Sequence, residues 1–293
     1  MDLALVVNTQ KRSTLRVLAR LRERVPRGHR LLLWAPAAAS LSRRSDYRDE
    51  LDGFERVDDV HAGEVVLALG GDGTLLAAVR QLGDDLRPVL GINLGSLGFL
   101  TDTPEDRADE AVGRLLAGQY LLESRMLLEV RWERRQTSPV RGLNDVVVHG
   151  PSARVLELEM RAAGVDLGST MADGMIVATP SGSTAYSLSA GGPIVSPRLR
   201  ALIMTPISAH TLSLRPLVVA ADEGIEIRLL RTSSPQADVS VDGHHCGALG
   251  TGEAVVVRAA ARDLQLVITQ DDSFYNTLRT KLGWGQRRHA EPA

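Results

Sequence analysis

The stretch Glu64-Val-Val-Leu-Ala-Leu-Gly-Gly-Asp-Gly-Thr-Leu-Leu-Ala-Ala-Val-Arg80 joins two different patterns through a cluster of glycines. Residues 64–69 form a short, almost wholly apolar run, the mark of a strand buried on both faces. From Thr74 the apolar residues fall at helical spacing. Gly70-Gly71-Asp72-Gly73 is therefore a strand-to-helix turn at the carboxyl edge of a parallel sheet, the edge where such sheets hold ligands. Glycines there allow positive φ and let a ligand approach the backbone. The first amides of the following helix point outward as donors to an anion such as phosphate. Asp72 has two readings. It can cap the helix, or it can stand ready to accept a hydroxyl proton, or help hold Mg²⁺, beside phosphates. A cap does not call for three surrounding glycines, which favours the second.

Outward from that turn, short apolar runs alternate with helical patterns. Strands are expected at 3–7, 30–34, 64–69 and 88–93. Helices are expected around Leu15, Leu18, Leu21 and Val25, then at 74–82 and 105–117. Alternating strand and helix predicts a parallel sheet covered by helices. After about Tyr120 the period changes to two. Leu128, Val130 and Trp132 alternate with charged residues, as do Leu156, Leu158 and Met160, and later Ile225, Ile227 and Leu229. That is the signature of antiparallel, half-solvated sheet, and Asp242-Gly243 after Val239-Ser240-Val241 is a hairpin signal. The fold class expected is an α/β nucleotide-binding domain over 1–122 followed by a β-rich, sandwich-like domain over 123–272. A last helix, from 273 to 282 in a 273–293 segment, is expected to pack back on the first domain. Only roughly the last ten residues read as a polar tail.

The 293 residues carry 44% hydrophobic and 24% charged side chains, a globular composition. No apolar run reaches the ~18 residues of a membrane span, and the N-terminal segment lacks the pattern of a signal peptide. The formal net charge of −2 gives no general attraction to nucleic acid or anionic membrane. Cys246 is the only cysteine, so an internal disulfide and cysteine-based metal sites are excluded. A cytoplasmic protein is expected, with no nucleic-acid or membrane partner. All but two of the 34 basic residues are arginine, the exceptions being Lys11 and Lys281. No Gly-Lys pair exists, and so no Walker-type phosphate loop.

Four further segments bear on function. Gly91-Ile-Asn-Leu-Gly-Ser-Leu-Gly-Phe-Leu-Thr-Asp102 makes a second glycine-rich loop at the same sheet edge, with Asn93 able to donate and accept. Leu143-Asn144-Asp145-Val-Val-Val148 sets an amide and a carboxylate at the start of a strand. Ala172-Asp-Gly-Met-Ile-Val-Ala-Thr-Pro-Ser-Gly-Ser-Thr-Ala-Tyr-Ser-Leu-Ser-Ala-Gly-Gly-Pro193 reads as strand, turn and short helix. The hydroxyls of Ser181, Ser183, Thr184, Tyr186 and Ser189 lie close together there, a neutral lining suited to a nucleotide. Thr205-Pro-Ile…His210-Thr-Leu-Ser-Leu-Arg215-Pro216 adds a histidine, more often structural than catalytic, and an arginine able to pair with carboxylate or phosphate.

Gly-Gly-Asp-Gly-Thr resembles the motif of a kinase superfamily that includes NAD kinases, diacylglycerol kinases and sphingosine kinases. The other segments, together with Phe274…Leu278-Arg…Lys281-Leu-Gly-Trp-Gly285, are similar to NAD kinase segments in order and spacing from about Leu67 to Gly285. Ser181 stands where threonine is common and keeps the hydroxyl.

The resemblance implies transfer of a phosphoryl group to the 2′-hydroxyl of the adenosine ribose of NAD, giving NADP. The donor implied is ATP, with polyphosphate the alternative, and Mg²⁺ or another divalent ion is held mainly by the ATP phosphates. Asp72 is the implied general base or hydroxyl activator. Asp72, Gly73, Asn144, Asp145, Asp173, Thr184, Ala185, Tyr186 and Ser189 are the expected contacts to NAD. Gly70, Gly71, Gly73 and Thr74 form the expected phosphate loop, and Asn93, His210 and Arg215 are secondary candidates. No protein metal ligands are expected, and a homodimer or homotetramer is implied. The alternatives are a lipid kinase of the diacylglycerol or sphingosine type and a non-catalytic dinucleotide sensor. Lipid kinases of this superfamily usually carry a glutamate where this chain has Ala77.

Overall fold

The computed structural model describes residues 1–42, 51, 53–151, 155–211, 213–233, 236–269 and 274–284. Gly285, Leu212, Ser273 and the polar tail of the sequence reading lie outside them. Two compact units emerge: Met1–Glu123 with Gln265–Ala293, and Ser124–Leu264.

The first unit is built on alternation. Strands β1 (Asp2–Val7), β2 (Arg30–Trp34), β3 (Glu55–Val57), β4 (Val65–Gly70), β5 (Val89–Asn93), the short β6 (Thr103–Pro104) and β7 (Leu121–Arg125) are interleaved with helices. The helices are α1 (Ser13–Arg24), α2 (Ala35–Ser42), α3 (Asp72–Leu82) and α4 (Ala108–Leu116). β1 and β4 are apolar along nearly their whole length because both faces are covered. On α1 the residues Leu15, Leu18 and Leu21 are buried while Arg22 and Arg24 close its last turn, where cations suit the helix dipole. α2 is absent from the sequence reading: Ala-Pro-Ala-Ala-Ala-Ser-Leu-Ser has no apolar stripe to read, though Pro36 suits a first helical turn.

The second unit is antiparallel and has two six-stranded sheets. Its strands are β8 (Leu128–Trp132), β9 (Val140–Gly142), β10 (Asp145–His149), β11 (Leu156–Ala162), β12 (Val165–Ala172), β13 (Gly174–Ala178), β14 (Ala201–Ile207), β15 (Leu217–Ala220), β16 (Ile225–Thr232), β17 (Gln236–Val241), β18 (His244–Gly250) and β19 (Ala254–Ala259), with α5 (Tyr186–Ser189) between β13 and β14. One sheet runs β15-β14-β13-β10-β17-β18, the other β12-β11-β16-β19-β8-β9. Their inner faces share one core that includes Val146, Val148, Met175 and Val177 from the first and Leu158, Met160, Ile227 and Val255 from the second. This is the sandwich that period two predicts.

The chain then returns to the first unit earlier than the sequence reading places it. Strand β20 (Leu264–Ile268) joins the first sheet, whose order is β3-β2-β1-β4-β5-β20-β7. Leu266 pairs in parallel with Val89. Leu-Gln-Leu-Val-Ile has the same alternating look as the sandwich strands before it, so only pairing reveals its sheet. Helix α6 (Phe274–Leu282) follows, with Phe274 6.3 Å from the ring of Phe99.

The glycine turn after β4 corrects one expectation. None of Gly70, Gly71 and Gly73 has positive φ. Gly70 is needed for space, since a Cβ there would collide with the Thr74 hydroxyl and stand 3.0 Å from Asn8 Cβ. At Gly71 and Gly73 a Cβ would meet nothing within 4 Å. Gly73 lies inside α3, where glycine costs about 0.5–1 kcal/mol relative to alanine. Urea unfolding should therefore show Gly73→Ala more stable than wild type by about that amount. Gly70→Ala should lose about 1–3 kcal/mol. Destabilisation by both to the same degree would mean that the fold, and not a ligand, dictates Gly73.

Candidate active site

In the first unit, the chain after β5 folds over the glycine turn, and Asp72 holds it there. Asp72 Oδ2 accepts from the amide of Phe99 (2.9 Å). Its Oδ1 accepts from the amides of Leu100 (3.1 Å) and Thr101 (3.0 Å) and from the Thr101 hydroxyl (2.9 Å). Gly98 makes this possible, because a Cβ there would collide with Asp72 Oδ1. The N-cap of α3 is Gly71, so Asp72 is not the cap. A carboxylate offers about four accepting positions, two on each oxygen. Oδ1 is saturated; Oδ2 has one position left.

Asn93 is committed as well. Its Nδ2 donates to the carbonyl of Ser96 (2.7 Å) and to the Thr101 hydroxyl (3.0 Å), and its Oδ1 accepts from Gly95 (2.8 Å). It is 3% exposed and shapes the loop from within. Thr74 is buried and packs against Gly70.

In the second unit, a cleft of about 560 Å³ opens over β10. Asn144, Asp145, Asp173, Ala185 and Tyr186 line it, and it also takes in His149, Ser240 and Asp242. Thr184, Ser189, His210 and Arg215 are not among its lining residues. The hairpin residue Asp242 organises the wall. Its carboxylate accepts from the amides of Leu143 (2.8 Å), Asn144 (2.8 Å) and Asp145 (3.1 Å), fixing the approach to β10. Asp242 and Gly243 both have positive φ, the geometry of a two-residue hairpin turn. Asn144 Oδ1 is buried without a hydrogen-bond partner among the described residues. A buried acceptor left unpaired is costly, and a ligand donor would relieve it.

Asp145 is 5% exposed. Burial first, and then the neighbouring Asp242 carboxylate, push its pKa up from 3.8 to about 7.

The close-set hydroxyls of 181–189 are mostly structural, a second correction. Ser183 donates to Pro180 O (2.6 Å) and accepts from Val195 N (3.0 Å). Thr184 donates to Ser181 O (3.2 Å), and Ser181 accepts from Arg125 (3.4 Å). Ser187 pairs with Thr205 (2.9 Å), and Thr179 donates to Leu143 O (2.6 Å). A Gly/Pro-rich turn leaves buried backbone groups outside any ladder, and these hydroxyls satisfy them. Gly182 completes the packing, since a Cβ would collide with the Asn144 carbonyl.

Comparison with known proteins gives both units the same relatives. Residues 3–120 match the model of the ATP-NAD kinase N-terminal domain, and residues 143–269 that of the C-terminal domain. The chain belongs to the NAD kinase family. The NAD kinase of Azotobacter vinelandii is 45% identical over 228 residues, 76% of this chain and 77% of that protein. The NAD kinase of Ectopseudomonas mendocina is 44% identical over 227 residues, with the same coverage. Among solved structures, yeast NADH kinase complexed with NADH superposes with a TM-score of 0.88 at 25% identity, covering 99% of this chain and 90% of that one. An NAD kinase from Archaeoglobus fulgidus in complex with ATP shares the fold, with a TM-score of 0.73 at 22% identity over 97% of this chain and 99% of that one.

His149, Ser240 and Asp242 line this cleft and are not among the binding residues expected from the sequence. His149 had a signal: on a strand, Asp145, Val147 and His149 share one face. Asp242 was legible only as a hairpin residue, because the amides it accepts from lie 97 to 99 residues away.

The raised pKa of Asp145 has a consequence for stability. Between 3.8 and about 7 the folded chain keeps a proton that the unfolded chain has released. The contribution of this group to stability therefore declines as pH rises through that window and is smallest above it. Asp145→Asn should gain stability over wild type at pH 8 relative to its standing at pH 5, read from denaturation midpoints. A pH-independent difference would contradict this.

Proposed function

We propose that this chain is a phosphotransferase that phosphorylates the 2′-hydroxyl of the adenosine ribose of NAD, with ATP as donor, to give NADP. Family membership of both units carries the reading. The cleft built on Asn144 and Asp145 supports it: an asparagine acceptor buried without a donor and a carboxyl suited to ribose hydroxyls are a dinucleotide's requirements. Neither a lipid kinase nor a non-catalytic sensor is favoured by the relatives of this chain, because both of its units match NAD kinase domains.

The residues divide the work. Asn144, Asp145, Asp173, Ala185 and Tyr186 bind NAD, with Thr184 and Ser189 supporting the same segment. Gly71, Gly73 and the first amides of α3 admit phosphates, helped by the dipole of that helix, while Gly70 and Thr74 hold the turn in shape. Asp72 accepts the hydroxyl proton through Oδ2, the oxygen with an accepting position to spare. As the 2′-oxygen bonds to the γ-phosphorus, the bond to the β,γ-bridging oxygen breaks and its electron pair leaves with ADP. His210 and Arg215, both exposed, act at most at the margin.

Among the described residues no group of three or more His, Cys, Asp or Glu side chains is placed to hold a metal ion. A divalent ion such as Mg²⁺ would be held mainly by the ATP phosphates and neutralise their charge. We also place the protein in the cytoplasm, as a homodimer or homotetramer. Among the described residues no helix is long and apolar enough to cross a membrane.

The direct test incubates the purified protein with NAD or NADH, and ATP or polyphosphate, with and without Mg²⁺, with diacylglycerol as a competing acceptor. Phosphorylated dinucleotide is the expected product, and phosphorylated lipid alone would overturn the reading. Asp72→Asn should lower turnover by about 10²-fold or more with NAD affinity kept. It should also lower the melting temperature, because an amide nitrogen cannot accept from the 99–101 amides. Unchanged turnover would remove Asp72 from the chemistry.

A further inference from the structure

Lys11 follows β1, yet its ammonium lies against Gly95, which follows β5. A Cβ on Gly95 would stand 2.6 Å from Lys11 Nζ. The sheet order places β4, and with it the Gly70–Gly73 turn, between β1 and β5. Neighbouring strands lie about 4.8 Å apart, so the contact bridges about 10 Å across the carboxyl end of β4. Both ends are fixed by backbone. The Asn8 amide donates to Leu69 O (2.8 Å), the Leu94 amide to Gly70 O (2.6 Å), and the Gly95 amide to Asn93 Oδ1 (2.8 Å). Beside Gly95 a cleft of about 450 Å³ takes in Asn93, Leu94, Arg16 and Arg20, with Glu105 and Asp106 also on its wall.

Lys11 differs from the cations around it in two respects. Arg16 and Arg20 are already neutralised, by Glu105 (3.4 Å) and Asp109 (3.0 Å). Among the described residues no carboxylate pairs with Lys11 and no hydrogen bond satisfies its ammonium. The side chain is half-buried, so its charge has given up part of its water without a counter-charge. The residue type is informative too. In a chain that writes arginine at all but two of its 34 basic positions, position 11 is lysine. A lysine is a compact point charge on a flexible stem, unlike the larger planar guanidinium of arginine. Glycine at 95 lets the ammonium come this close, and a side chain there would displace it.

We propose that Lys11 binds the phosphates of the phosphoryl donor at this turn, supplying the cation that a phosphate loop without its own lysine lacks. The inference rests on the reading above and deepens it. Lys11 forms no bond and moves no proton. Its charge offsets that on the transferring and leaving phosphate oxygens, an effect that grows where water is excluded.

The test compares wild type, Lys11→Ala and Lys11→Arg in two ways. In steady-state kinetics, Lys11→Ala should lower kcat/KM for ATP by about 10²-fold or more. It should leave KM for NAD within about twofold of wild type. Lys11→Arg should recover part of the loss, and neither variant should melt earlier, because no intramolecular partner is removed. In calorimetric titration with inorganic triphosphate, Lys11→Ala should bind at least about tenfold more weakly than wild type. A kcat/KM for ATP within about threefold of wild type, or a loss shared equally by ATP and NAD, would overturn the proposal. So would equal triphosphate binding by all three proteins. Should wild type phosphorylate no dinucleotide, the reading of the site fails, while the triphosphate titration still decides whether Lys11 is an anion-binding group.

Discussion

A carboxylate that gathers consecutive backbone amides is the device on which each half of the molecule depends. Asp72 collects the amides of Phe99, Leu100 and Thr101, and Asp242 those of Leu143, Asn144 and Asp145. Hydrogen bonds to an ionised acceptor are about twice as strong as neutral ones, and three in succession fix a loop that has no ladder of its own. The first holds the glycine loops of the α/β unit together. The second fixes Asn144 and Asp145 where they face the cleft.

Holding the loops this way makes specific demands on the sequence. Gly98 must be glycine because its Cβ would occupy Asp72 Oδ1, and Gly182 because its Cβ would strike the Asn144 carbonyl. Gly73 is different. Neither its φ nor its neighbours require glycine, and it sits in a helix that alanine would stabilise. Glycine there lowers stability with no structural return among the described residues, which suits the phosphate role proposed above. Among the described residues, the unpaired ammonium of Lys11 and the unpaired Oδ1 of Asn144 are costs of the same kind, as is the raised pKa of Asp145.

Much of the fold was legible because local pattern and tertiary role agree. The apolar runs became parallel strands, the period-two segments became the sandwich, and Asp242-Gly243 became a hairpin turn. Legibility failed where a short segment has no pattern, as in α2, or where the pattern does not say which sheet it joins, as in β20. In the site, Asn144-Asp145 taken alone is turn chemistry, and the pair stood out only through its resemblance to NAD kinase segments. The partners of Asp72 lie 27 to 29 residues on, and those of Asp242 lie almost a hundred back. Neither could be read locally, so the sequence offered Asp72 as a cap or a base, and its clamping of the 99–101 amides was not legible. The hydroxyls of 181–189 misled for a related reason: a serine that serves its own buried turn looks the same in sequence as one that faces a ligand.

The central claim is that Asp72 has a second task beyond clamping, performed through Oδ2. A crystal structure of the protein with NAD and a non-hydrolysable ATP analogue tests it most directly. The account predicts the ribose 2′-hydroxyl within about 2.6–3.2 Å of Asp72 Oδ2, with the bonds from Phe99, Leu100 and Thr101 still in place. A bound sugar and donor positioned for transfer with Asp72 out of reach of the hydroxyl would contradict it.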